Sequence, residues 1–206
     1  MEVLFNTFVV LFIVIDPVGL APMFLWLTLC GTAAYQRKMA IRGTALASGM
    51  LLVFFFFGDA LLAALGIGLP AFRIAGGALL FLLAIDMVFA RQSGLRSTTT
   101  REQEEAEHKE DISVFPLAFP LIAGPGALTT VLLMSSSWKE PVVFAGMLAV
   151  LLLVLGMTLL SLLWAGILLR FLGETGTNVI SRLFGLVLAA LAVQYILDGL
   201  RSAWAG

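Results

Sequence analysis

Apolar residues fall in long runs separated by short polar segments. The first run extends from about Val3 to Leu29, and five more lie at about 43–65, 70–90, 114–135, 142–169 and 178–200. About 20 apolar residues in an α-helix cross the hydrocarbon core of a bilayer, so the pattern predicts six transmembrane helices. Gly31–Arg42 is polar and basic, and Gly66–Leu69 is a tight glycine-rich turn ended by Pro70. Arg91–Asp111 is the one extended hydrophilic segment, and its acidic run Glu102–Asp111 reads as a solvated linker or short exposed helix, with His108 a surface residue.

The first run is interrupted where an uninterrupted helix would be cheapest. Asp16, Pro17, Gly19 and Pro22 stand within eleven residues, Phe12–Pro22. An ionised Asp at the bilayer centre costs roughly 2.5–3.5 kcal/mol on insertion scales. Each interior proline removes a backbone donor and clashes with the preceding turn. Irregular backbone at that depth is tolerated only against protein or a water-filled cavity. A broken helix near the midplane is also how many secondary transporters build a substrate site.

Composition agrees with a membrane protein. The chain has 206 residues, 61% hydrophobic and 12% charged, against about 25% charged in soluble domains. A net charge of −1 points to no particular soluble partner and gives no reason to expect nucleic acid. Cys30 alone cannot form an internal disulfide, and with the single His108 it cannot make a structural zinc site, so no metal or cofactor is expected. Met1-Glu2 supplies no basic region of a cleavable signal, so the first segment is expected to stay in the membrane. Arg37, Lys38, Arg42, Arg91, Arg96, Arg101, Lys109, Arg170 and Arg182 fall in loops one, three and five; only Arg73, Lys139 and Arg201 lie on the other side. Nine against three places those loops in the cytoplasm and both termini outside, with Trp138 and Trp204 as outer-interface anchors.

The two halves resemble each other. Arg73-x-x-Gly76-x-x-Leu79-x-x-Leu82 is answered by Arg182-x-x-Gly185-x-x-Leu188-x-x-Leu191, a shift of 109, and Pro17 by Pro125, a shift of 108. The expected organisation is a three-helix repeat at 1–90, a hydrophilic cytoplasmic linker at 91–111 and a second repeat at 112–206. Three spans per repeat invert the second half, an arrangement common among carriers. The fold class is therefore an all-α membrane protein of six helices in two inverted repeats, with spans one and four broken near the midplane.

Asp16 and Gly124 are permitted N-caps, and Pro17 and Pro125 suit the first helical position. Each break could start a half-helix whose free N–H groups and positive dipole end attract an anion. Thr129 and Thr130, read as lying in the first turn after the second break, could add hydroxyl contacts. Two such tips could hold a zwitterion, with Asp16 and freed carbonyls taking its ammonium group. The candidate substrate-binding residues are Asp16, Pro17, Gly19, Pro22, Gly124, Pro125, Gly126, Thr129 and Thr130. Asp16, Asp86, Arg73, Arg182 and Gln194 are the candidates for coupling or gating. The plainer alternatives are that the breaks only kink packed helices, that the arginines anchor at interfaces, and that Gln194 and Asn6 bond between helices.

At these residues the sequence resembles the MarC family of integral membrane proteins, which includes SnatA-type neutral amino acid transporters. The resemblance rests on Phe12–Phe24, on Pro116–Thr130, and on Arg73-Ile-Ala-Gly-Gly and Arg182-Leu-Phe-Gly in spans three and six. One position departs: the family's first motif usually carries Asn where this chain has Leu20. The resemblance implies a proton-coupled secondary transporter of glycine, alanine and similar small neutral amino acids in a bacterial or archaeal inner membrane. Sodium is the alternative coupling ion, lipids are the surroundings, and a homo-oligomer is left open. A channel, or a membrane protein without transport, is the alternative function. An intramembrane enzyme is disfavoured, because no second catalytic group is visible at the depth of Asp16.

Overall fold

The computed structural model describes residues 2–29, 31–89, 111–137 and 140–204. Expectations for Cys30, residues 91–110 (His108 included), Trp138 and Lys139 lie outside the described residues. All regular elements among the described residues are helices: α1 Glu2–Ile15, α2 Pro17–Leu27, α3 Ala33–Ala64, α4 Leu69–Phe89, α5 Ser113–Ile122, α6 Pro125–Ser137, α7 Pro141–Leu163 and α8 Ala165–Trp204. Among the described residues five stretches are long and apolar enough to cross a membrane, α1 and α2 together counting as one of them. Counting the bent pair α5 and α6 as one span gives six.

Two boundaries differ from the sequence reading. Thr32 caps α3, its hydroxyl accepting the Tyr35 N–H at 3.2 Å. Arg37, Lys38 and Arg42 therefore stand on the first turns of a helix rather than in a loop. The 32 residues of α3 reach about 48 Å at 1.5 Å per residue, well beyond the roughly 30 Å hydrocarbon core, so the basic turns extend past it. The second difference concerns span five, which ends at Leu163 rather than near residue 169. The chain turns at Trp164, continues as a helix to Leu172, and turns again at Gly173, whose φ of 67° suits glycine. Only Thr175–Trp204 of α8 reads as a span. Sequence hydropathy merged residues 165–169 of the connector with the span before it, because Ile167, Leu168 and Leu169 are apolar.

Without water to drive apolar faces together, membrane helices associate through close packing, and small residues permit close approach. The longest interface, α4 against α8, follows that rule. A side chain at Gly77 would meet Ile196 and the Ala192 carbonyl; one at Gly185 would meet Met87 and the Ala84 carbonyl; one at Gly199 would meet Ile74 and the Pro70 carbonyl. Elsewhere the packing crosses between the halves. α2 lies on α8 as α6 lies on α4; α1 on α7 as α5 on α3; α2 on α7 as α6 on α3. Buried Leu11, Ile15, Leu20, Phe24, Leu80 and Ile122 fill the centre.

The ends of the bundle are distinct. Val3, Asn6, Arg73 and Asp198 meet around one cavity, so the starts of α1 and α4 and the end of α8 share an end. Leu25, Arg37 and Arg170 meet around another, at the junctions of α2 with α3 and of α7 with α8. An exposed ion pair, Arg42 Nη1 to Asp111 Oδ2 at 3.1 Å, links α3 to the start of α5.

Candidate functional site

Asp16 interrupts span one at a single residue. Its backbone is left-handed, φ 48° and ψ 68°. That conformation costs an ordinary residue about 1–2 kcal/mol, and Asp is among the few that tolerate it. The following proline contributes, since it disfavours right-handed helical backbone at the preceding residue. Helical hydrogen bonds run up to the interruption, from Asp16 N–H to the Phe12 carbonyl at 2.9 Å, and resume from it, from Leu20 N–H to the Asp16 carbonyl at 3.1 Å. α1 and α2 thus form one span, Glu2–Leu27.

The buried Asp16 side chain turns back on α2. Oδ1 accepts the Gly19 N–H at 3.0 Å, and Oδ2 accepts the Ser181 hydroxyl of α8 at 2.9 Å. Gly19 is required there: a Cβ would run into the carboxylate and stand 2.5 Å from Ser181 Oγ. Ser161 of α7 donates to the Pro17 carbonyl. Pro22, lacking an N–H, gives the Val18 carbonyl no helical partner. The start of α2 is thereby tied to both α7 and α8.

The bend between α5 and α6 is more severe. Proline pushes its predecessor into extended backbone, and both Phe115 (φ −132°, ψ 126°) and Phe119 (φ −131°, ψ 129°) adopt it. The helix between is widened, with Leu117 N–H bonded to the Ile112 carbonyl at 3.2 Å and Ala123 N–H to the Ala118 carbonyl at 2.8 Å. α5 and α6 then meet at 58°. Gly124 occupies the corner, where a Cβ would stand 2.5 Å from the Pro120 carbonyl oxygen. Its own carbonyl accepts the Leu128 N–H at 3.0 Å and so starts α6. Pro125 has no N–H to lose, and the amides of Gly126 and Ala127 are the ones a helix start leaves without intrahelical partners.

Those residues line a cavity of about 20 Å³, closed by Pro120, Leu121, Leu79, Leu83 and Val14. It has room for roughly one water and none for an amino acid. The sequence reading of one hydrated chamber shared by both helix tips is therefore corrected for this conformation. The α2 tip is capped by its own Asp16, while the α6 tip meets a small, mostly apolar space to which Asp16 contributes no lining. The breaks are nevertheless neighbours, since a Cβ at Gly126 would lie 3.6 Å from Val14 Cγ1, with Leu80 and Leu83 at 3.0 Å. Thr129 is buried with its methyl against Gly76, and the hydroxyl of fully buried Thr130 has no hydrogen-bond partner among the described residues.

The gating candidates scatter. Arg73 lines the 230 Å³ cavity with Asn6, Thr7, Tyr195 and Asp198, and Gln194 donates to Asp198 at 2.8 Å. Asp86 is buried on α4. Arg182 is exposed on α8, well inside the helix rather than at its start. Ser161 and Ser181 were missed in sequence; Ser161 offered the signal of a hydroxyl within an otherwise apolar stretch, Ser181 beside Arg182 offered none, and nothing local connects either to Asp16 or Pro17.

Residues 1–204 match the family described as MarC family integral membrane protein. The UPF0056 membrane protein YvbG of Bacillus subtilis strain 168 is 36% identical over 196 residues, 95% of this chain and 93% of the relative. The UPF0056 inner membrane protein YhgN of Escherichia coli K12 is 35% identical over 201 residues, 98% of each. A UPF0056 membrane protein of Archaeoglobus fulgidus is 34% identical over 196 residues, 95% and 91% of the two chains. No solved structure matches the chain.

Proposed function

The chain belongs to the MarC family and is a multi-pass integral membrane protein, and from that premise we propose that it is a secondary transporter of small neutral amino acids. The observation that carries this reading is the pair of adjoining backbone irregularities, one holding a buried carboxylate and the other a helix start without a side-chain cap. The α6 amides offer the positive end that a substrate carboxylate seeks. Asp16, whose carboxylate is taken up here by the Gly19 N–H and the Ser181 hydroxyl, offers the negative partner for an ammonium group once those bonds give way. The cavity around Arg73 and Asp198, about 230 Å³, sets a cation beside an anion and suits a zwitterion on its way in.

Alternating access is supported by the cross-paired packing, in which each half-helix of one repeat has a counterpart contact in the other. Inverted repeats permit exchange between two such arrangements. In the closed conformation described here, substrate entry requires the α6 tip to part from Leu83 and Val14. Asp16 is the proposed proton-linked group, and a cytoplasmic face at the Arg37–Arg170 end follows from the basic-residue excess. Like YhgN, named an inner membrane protein, the chain is assigned to the inner membrane.

The test is uptake of labelled glycine and alanine by proteoliposomes under an inward proton gradient. Saturable uptake is expected, and Asp16→Asn and Gly126→Leu should each abolish it in protein that still unfolds cooperatively. Asn tolerates left-handed backbone and can still accept from Gly19, so the first variant isolates the charge. Full uptake by both variants rejects the site, and non-saturating ion flux favours a channel.

A further inference from the structure

The second end of the bundle carries a cavity that the transport reading does not use. It measures about 630 Å³ and lies where the end of α2, the start of α3 and the α7–α8 junction meet. Arg37 and Arg170 stand on its rim, 133 positions apart in sequence. Gln36 braces the rim from α3, donating to the Thr28 carbonyl at 3.2 Å. The wall beneath is apolar: Leu25, Leu162, Leu163, Trp164 and Ile167. Neither guanidinium forms an ion pair with a described residue.

The surroundings place this cavity at the membrane boundary. It opens beside Trp164 (61% exposed) and the connector 165–172, which belongs to neither flanking span and exposes Ile167 (67%) and Phe171 (91%). Tryptophan at that level, with its ring among acyl chains and its N–H near head groups, is typical of the interface. A soluble anion would use the arginines and leave the apolar wall wet. An ordinary zwitterionic lipid would cover the wall but bring no net charge to the two cations. Only an amphiphile with an anionic head and acyl chains meets both halves of the surface.

We propose that this cavity is a binding site for an anionic phospholipid, its phosphate between Arg37 and Arg170 and one acyl chain along Leu163, Trp164 and Ile167. Basic pockets between transmembrane helices are a recurring form of head-group site, and the forked guanidinium suits phosphate. Occupancy ties the α7–α8 junction to the α2–α3 junction.

Trp164 reports on the site. A protein with Trp26, Trp138 and Trp204 replaced by Phe is reconstituted in phosphatidylcholine vesicles containing brominated-chain phosphatidylglycerol or, separately, brominated-chain phosphatidylcholine. Phosphatidylglycerol is expected to quench Trp164 with roughly 30-fold the apparent affinity of phosphatidylcholine, about fivefold per arginine near the surface. Arg37→Gln with Arg170→Gln should bring the two lipids within about twofold of each other, and Arg37→Lys with Arg170→Lys should retain part of the preference. Since both arginines are exposed, these variants should fold, which an unchanged melting temperature in phosphatidylcholine verifies. Equal quenching by the two lipids, a preference that survives the double Gln variant, or displacement of phosphatidylglycerol by millimolar inorganic phosphate each overturns the proposal.

Discussion

Gly19→Ala is a small change with a large expected effect. The added Cβ collides with the Asp16 carboxylate and stands 2.5 Å from Ser181 Oγ, so the bonds from the Gly19 N–H and the Ser181 hydroxyl cannot both survive. The cap contributes about 0.5–2 kcal/mol, and a hydrogen bond to an ionised carboxylate about 1.5–3 kcal/mol. Alanine recovers about 0.4–1 kcal/mol by restricting the unfolded chain. With both bonds lost the net destabilisation is about 1–4.5 kcal/mol, or a melting temperature lower by about 2–18 °C on the scale of a 200-residue protein. Thermal unfolding in detergent measures it. Ser181→Ala alone should cost less, and Gly19→Ala should cost less in that background, because one lost bond is shared. A melting temperature within a degree of wild type, or strict additivity in the cycle, would refute the proposed triangle of Asp16, Gly19 and Ser181.

Other outcomes follow from the same contacts. Gly76→Ala drives a Cβ into the Thr129 methyl; it should lower the melting temperature by several degrees, as overpacking by about 1–3 kcal/mol implies, and Thr129→Ser should restore most of the loss by removing that methyl. Leu20→Asn puts an amide where a leucine is 1% exposed; an unpartnered amide should cost about 1–3 kcal/mol, and equal or higher thermal stability would mean that the site supplies a polar partner. The Ser113 side chain and N–H, and then Arg42, hold the Asp111 carboxyl below its ordinary 3.8. A depressed carboxyl stabilises the fold above its unfolded pKa and loses that contribution as pH falls through the folded value. Ser113→Ala should therefore melt lower than wild type at pH 6, with the gap narrowing as the pH drops below 3.8; a gap independent of pH would contradict the assignment.

Much of the fold was readable because membrane crossing needs long apolar runs, and long runs survive uncertainty at their ends. The positions of the two backbone irregularities were readable too, since Asp16-Pro17 and Gly124-Pro125 break rules that hold for any buried helix. Their shape was not. Asp16 tolerates a left-handed backbone and so interrupts the first helix at one residue, its side chain taking the Gly19 N–H, whereas two Phe-Pro pairs widen α5, which meets α6 at 58°. The Asp16 carboxylate was read as facing a chamber, but its partner Ser181 lies 165 residues away, and no local pattern encodes such a contact. The same limit hid Ser161, which meets Pro17 across 144 residues. Arg37 and Arg170 were readable as lying on one side of the membrane, while their convergence on one cavity depends on how α2, α3 and the 165–172 connector pack. That connector escaped notice because an apolar interfacial segment has the hydropathy of a span.

The most direct measurement is the thermal unfolding of the purified protein against each of the twenty amino acids, with Asp16→Asn in parallel. A ligand at about 100 times its dissociation constant stabilises the folded state by about 2.7 kcal/mol, worth about 5–10 °C for a chain of this size. Glycine or alanine should raise the wild-type melting temperature by about that amount and leave Asp16→Asn unmoved. If no amino acid shifts the wild type, or if the same one shifts both proteins equally, Asp16 and the α6 helix start do not form an amino acid site.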